Sequence, residues 1–166
     1  MTEPRVDLEA LFSRVRTTLA PAPREALGEI VQPRRVLGVA RAPRVQRRGD
    51  AWHLGVLLVT DDAVLATGDV VRAREEARRG YTATSQRERA ELAAAAFRGG
   101  FAEGESVHVG WRMLDLDAVA RGEASGPLAL VDDVPSVRWS QAGGYTALAG
   151  YLDERIELLT HPPQGA

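Results

Sequence analysis

The chain of 166 residues contains no lysine, no cysteine and no asparagine, and all 21 of its basic residues are arginine. Each absence removes chemistry. Without lysine there is no Schiff-base amine, no phosphate-loop lysine and no serine–lysine dyad. Without cysteine there is no thiolate nucleophile and no zinc–sulfur site. No apolar run approaches the roughly 18 residues that span a bilayer. Met1 to Arg5 lack the basic-then-apolar pattern of a secretion signal. These two absences lead to the expectation of a cytoplasmic protein with no membrane partner. There is no GxSxG elbow and no HxH or HExxH spacing. Gly99-Gly100 closes a helix rather than opening one, which is the wrong end for a phosphate. Neither a cofactor nor a metal is therefore expected.

What remains is an ordinary globular composition, 45% apolar and 27% charged, which predicts one domain over 1–166 with a loose tail at 161–166. Arginine in place of lysine, beside abundant alanine and glycine, reads as a GC-rich coding bias. The formal charge of −2 is unevenly spread. Residues 30–101 carry 13 arginines against 8 acids, whereas residues 102–166 carry 4 against 10. No acid occurs between Glu29 and Asp50, a gap that holds Arg34, Arg35, Arg41, Arg44, Arg47 and Arg48.

Periodicity predicts the elements. Asp7 caps a helix whose apolar face is Leu8, Leu11, Phe12, Val15 and Leu19, ended by Pro21 and Pro23. Residues 26–31 add a further turn, and Val36 to Ala40 form a short strand. Trp52 to Thr60 reads as a central strand, turned by Asp61-Asp62 into a returning strand over 63–72. The segment 72–80 is charged. Ser85-Gln86-Arg87-Glu88 is a capping box opening a helix to Arg98, with Leu92, Ala93, Ala96 and Phe97 as its buried stripe. Ser106 to Arg112 is a strand with Val107, Val109 and Trp111 inward and His108 outward. A short helix over 114–121 follows. Leu128–Val131 and Val134–Trp139 then make a second hairpin about Asp132-Asp133, with Pro135 marking an edge strand or a late start. Thr146 caps a last helix with Leu148, Tyr151, Leu152, Ile156 and Leu159 inward. The expected class is α+β: a mainly antiparallel sheet of about five strands, built from two hairpins and one further strand, with N-terminal, central and C-terminal helices packed on it.

Candidate sites are few. The Asp-Asp pairs suit turns better than a cation. His53 and His108 fall on different expected strands and are the candidates for acid–base work. The six arginines of the acid-free gap form the strongest binding feature, since guanidinium forks suit carboxylates and phosphates. They can serve a protein partner or a second copy of the chain. Nucleic acid ranks below these, because few aromatics interleave with the arginines.

Three stretches carry a resemblance: Gly49-Asp50-Ala51-Trp52-His53-Leu54-Gly55-Val56-Leu57-Leu58, Ala66-Thr67-Gly68-Asp69-Val70-Val71-Arg72-Ala73, and Leu148-Ala149-Gly150-Tyr151-Leu152-Asp153-Glu154-Arg155 continuing to Pro163. Ser125-Gly126-Pro127-Leu128 and Val137-Arg138-Trp139-Ser140 add to it. From about residue 36 onward the chain resembles a set of short uncharacterised proteins of GC-rich bacteria, some labelled glutaminase. The resemblance implies amide hydrolysis but supplies no active site to carry over. Serine-dependent glutaminases use Ser-x-x-Lys and amidotransferase types use cysteine, and this chain has residues for neither. The residues themselves favour a non-catalytic protein-binding or self-associating module. A small hydrolase or ligand-binding protein using His53 or His108 is the alternative.

Overall fold

The computed structural model describes residues 7–75 and 83–165. Met1 to Arg5, and Glu76, Arg78 and Arg79 of the charged segment, lie outside the described residues. In chain order the elements are α1 (Leu8–Leu19), β1 (Glu25–Val31), β2 (Arg44–Leu54), β3 (Leu57–Val59), β4 (Val64–Ala66), β5 (Asp69–Arg72), α2 (Thr84–Arg98), β6 (Ser106–Val109), β7 (Arg112–Met113), α3 (Leu116–Ala120), β8 (Leu128–Val131), β9 (Val134–Arg138), β10 (Tyr145–Ala147) and α4 (Leu148–Thr160). The class is α+β. Strand pairing gives a mixed order β5-β6-β1-β2-β3-β4-β7 and a separate three-stranded sheet β10-β9-β8. No described helix is long and apolar enough to cross a membrane.

The chain divides into two compact units, with β2 running from one into the other. The first comprises Met1–Arg24, Trp52–Thr67 and Arg112–Ala166; the second comprises Glu25–Ala51 and Gly68–Trp111. In the first unit, Asp7 accepts the Ala10 amide at 2.9 Å and so caps α1. The expected face of α1 is buried: Leu8, Phe12, Val15 and Leu19 join Trp52, Leu54, Leu57, Leu128, Val137, Leu148 and Leu152 in one core. Each such side chain contributes about 1.5–3 kcal/mol by leaving water. Trp52 donates its indole N–H to the Ala22 carbonyl at 3.2 Å. Arg24 lies over the Trp52 ring at 3.9 Å and holds Asp61 through two hydrogen bonds of 2.7 and 3.1 Å.

In the second unit, β1 pairs antiparallel with β2 and parallel with β6, and β5 flanks β6. Ala26, Val45, Val71, Ala73, Ala95, Ala96, Phe101, Val107 and Val109 form its core. Leu92 of α2 packs against it. The Trp111 indole N–H donates to the Gly28 carbonyl at 3.0 Å.

Several expectations are corrected. The sheet is mainly antiparallel, as expected, but it has seven strands rather than about five and one parallel pair, because residues expected to be helical form β1, whose Ala26 and Leu27 run parallel to Val107 and His108. The long strand over 52–60 is two strands. Gly55, at φ +65°, begins a two-residue reversal between Leu54 and Leu57, a conformation suited to glycine at the first central position. The returning strand over 63–72 also breaks, at Thr67-Gly68: β4 pairs with β3 whereas β5 pairs with β6. Helix α2 starts at Thr84, so Ser85 lies inside its first turn and makes no cap, and Phe97 is exposed where Ala94 and Ala95 are buried. His108 is buried, not outward, with its Nε2 against the Glu25 carboxylate.

The second hairpin stands as expected, with Asp132 and Asp133 at φ 50° and 62°. Pro135, however, sits in the middle strand of its sheet. It is tolerated because it lies opposite Leu130, one pair beyond the turn-closing Val131 and Val134, while β10 pairs only with Ser136 to Arg138. A nitrogen at position 135 faces the side on which β10 has already ended.

Candidate functional site

The acid-free gap becomes an arm of the second unit. Strands β1 and β2 are joined by residues 32–43, which fold back at Val36 and Val39 with the Val39 amide on the Val36 carbonyl at 3.1 Å. The two residues between them, Leu37 and Gly38, have φ 55° and 77°. Two left-handed residues in succession are the turn that suits tightly reversed strands, and asparagine or glycine fills its first position most readily. Here that position is leucine, 97% exposed. Val36 and Val39 beside it and Ile30 at the base of the arm are also exposed.

The six arginines divide into two groups. Arg47 and Arg48 are committed within the unit. A bulge opposite Leu27 and Gly28 leaves Arg48 unpaired in the ladder. Its Nε donates to Glu29 at 2.6 Å. Arg47 bridges Asp50 at 2.9 Å and Glu105 at 2.5 Å while lying over the Phe101 ring at 4.8 Å. The hydrogen bond from Arg47 holds the Glu105 carboxyl below the usual glutamate range and raises the guanidinium further. By contrast, Arg34, Arg35, Arg41 and Arg44 are exposed and make no ion pair among the described residues. The return leg of the arm is pinned: Arg98 donates from Nε and Nη2 to the Pro43 carbonyl at 3.1 and 2.8 Å. The apex therefore presents apolar side chains between uncommitted guanidinium groups on an anchored base.

The charge asymmetry follows the division of the chain. The first unit holds 8 arginines against 13 acids and the second 13 against 10.

The two candidate histidines, His53 and His108, fall in different units. His53 is half-buried, with Nε2 at 2.9 Å from the carbonyl of Gly55 in its own turn. His108 has no exposed surface, and its Nε2 is bonded to the Glu25 carboxylate. The Asp-Asp pairs occupy turns: Asp61 is held by Arg24 and Asp62 accepts from Thr60. Two features were not found by sequence reasoning: the left-handed leucine, and a cleft of the first unit beside Arg112, Arg138 and Trp139. Gly38 was the one available signal for the first. Among the three tryptophans, Trp139 precedes a Ser-Gln-Ala-Gly-Gly loop, which was the signal for the second.

Compared with family models, curated sequences and solved structures, the chain matches none of them.

Proposed function

We propose that the protein is a non-catalytic, self-associating module whose arm, residues 32–43, docks on the acidic first unit of a second copy. The observation that carries this reading is Leu37. A left-handed conformation costs a residue of this kind about 1–2 kcal/mol, and the side chain gains no contact inside the molecule in return. A strained, exposed apolar residue flanked by four uncommitted arginines is what an electrostatically guided contact requires: charge steers, and the leucine is desolvated on docking. The complementary charge is present on the same chain, since the first unit carries 13 acids against 8 arginines. Reciprocal contacts between two copies close a two-fold dimer.

Sedimentation velocity tests this. At about 0.1 M salt the protein should show a reversible, concentration-dependent dimer. Salt of about 1 M, with a Debye length of about 3 Å, should dissolve it. Replacing Arg34, Arg35, Arg41 and Arg44 by Gln should do the same at low salt. A wild-type protein that stays monomeric at about 200 μM in low salt, a concentration that populates any contact tighter than millimolar, overturns the reading. So does a monomer that instead retains mixed oligonucleotides with a steep salt dependence, which is the behaviour of a nucleic-acid binder.

Amide hydrolysis is the second reading. It has one observation in its favour: the Glu25 carboxylate against His108 resembles the base-and-orienter half of a hydrolytic arrangement. It ranks second because a base must come within hydrogen-bond reach of substrate, and His108 has no exposed surface. Release of ammonia from glutamine by the wild type, absent in His108→Gln, would reverse the ranking.

A further inference from the structure

The first unit contains a cleft of about 310 Å3 lined by Val56, Pro127, Arg112, Arg138, Trp139 and Gln141, among others. Its chemistry differs from the rest of the unit. The unit has an excess of acids, yet no carboxylate lines this cleft among the described residues, and two arginines do. Arg112 makes no ion pair among the described residues. Arg138 makes none either, and lies over the Tyr145 ring at 5.0 Å. Stacking uses the face of a guanidinium and leaves its in-plane N–H groups available for a planar anion.

The tryptophans give the second observation. Trp52 and Trp111 each donate the indole N–H to a backbone carbonyl. Trp139 is 54% exposed, and its indole N–H has no acceptor among the described residues. An exposed indole with an unused donor, beside two guanidinium groups and the apolar walls of Val56 and Pro127, offers a stacking surface and an anion clamp in one place. The Ser140 hydroxyl is already engaged: it accepts the Gly143 amide at 2.8 Å and so fixes the loop that follows Trp139.

We propose that this cleft binds a small molecule with a flat aromatic ring and an anionic group, the ring against Trp139 and the carboxylate or phosphate between Arg112 and Arg138. The cleft is at the lower end of the volumes that hold small ligands, about 300–1,000 Å3, so the ligand is a single ring system rather than a dinucleotide.

The test is titration of the 15N-labelled full chain, followed by its three indole N–H signals, with adenosine 5′-monophosphate, indole-3-acetate, adenosine and inorganic phosphate as separate probes. The signal that vanishes in Trp139→Leu should move with at least one of the two ring-bearing anions and not with adenosine or phosphate alone. The monophosphate and the carboxylate arms say which anion is preferred. Arg112→Gln and Arg138→Gln should each weaken that binding about tenfold or more, the effect of removing a charge-assisted hydrogen bond. Their unchanged amide spectra away from the cleft would show that the fold is intact. An immobile Trp139 signal with both ring-bearing anions at about 10 mM overturns the proposal, because that concentration saturates even millimolar sites. Equal binding of neutral adenosine, or affinity unchanged in both arginine variants, also overturns it.

Discussion

Leu37→Asn separates stability from association. Leucine in the left-handed region is strained by about 1–2 kcal/mol, whereas asparagine tolerates that region through local hydrogen bonding. The Leu37 side chain is 97% exposed, so removing it forfeits almost no burial within the fold. The variant should therefore be more stable by about 1 kcal/mol, which in a chain of this length raises Tm by about 2–4 °C. The strain is communicated to the unit because the base of the arm is held by the β1–β2 ladder and by Arg98 on the Pro43 carbonyl. Association should move the other way. Burying a leucine side chain contributes about 1.5–3 kcal/mol, and a two-fold dimer buries Leu37 from each copy, so the loss of about 3–6 kcal/mol per dimer should weaken dimerisation roughly 100- to 10,000-fold. Differential scanning calorimetry at low concentration and sedimentation of the same preparation supply both readings. A lower Tm would show that Leu37 supports the fold. A higher Tm with unchanged association would place the contact elsewhere.

Tyr151 clamps the Gly55 turn from both ends, accepting the Val56 amide at 2.9 Å and donating to the Leu54 carbonyl at 3.2 Å. Tyr151→Phe leaves both groups without that partner and should lower unfolding stability by about 1–3 kcal/mol in urea titrations; a change under about 0.5 kcal/mol would contradict the clamp. The Glu105 carboxyl is held low by Arg47, so its folded pKa lies below the unfolded value of about 4.3. The stability this contributes is complete above that unfolded value and disappears as the pH falls through the folded pKa. Glu105→Gln should remove that part of the loss of stability as the pH falls below about 4.3, and an unaltered pH–stability curve would refute the assignment. Asp61, held low by its hydrogen bonds from Arg24, acts with the same sign, so Asp61→Asn should also flatten the acid limb.

Where a pattern repeated over several residues, the sequence foretold the structure. The face of α1, the stripe of α4 and the Asp132-Asp133 hairpin all stand, because burial of a periodic apolar set and two left-handed turn residues leave little choice. Single residues decided the failures. Gly55 lies inside an apolar run that reads as one strand, and only its left-handed backbone reveals the reversal. Residues 25–31 are too short for periodicity to separate strand from helix; their pairing with Val107 and His108, about 80 residues away, decides it. The arginine cluster was visible as charge, but its division into committed Arg47 and Arg48 and uncommitted Arg34, Arg35, Arg41 and Arg44 depends on Glu29, Asp50 and Glu105 being near. Of the cleft the sequence showed only Trp139 and the glycine-rich loop after it, because Val56, Arg112 and Trp139 are distant in sequence and form no motif.

The absence of cysteine allows the contact of the arm with the first unit of a second copy to be observed directly. Ala40→Cys places one spin label on the arm and leaves Leu37 and all four uncommitted arginines in place. Labelled protein mixed with 15N-labelled, label-free protein reports only contacts between copies. At about 0.1 M salt, the amide signals of acidic residues of the first unit should broaden, and they should be restored at about 1 M. Absence of intermolecular broadening, or broadening confined to the second unit, would contradict that contact.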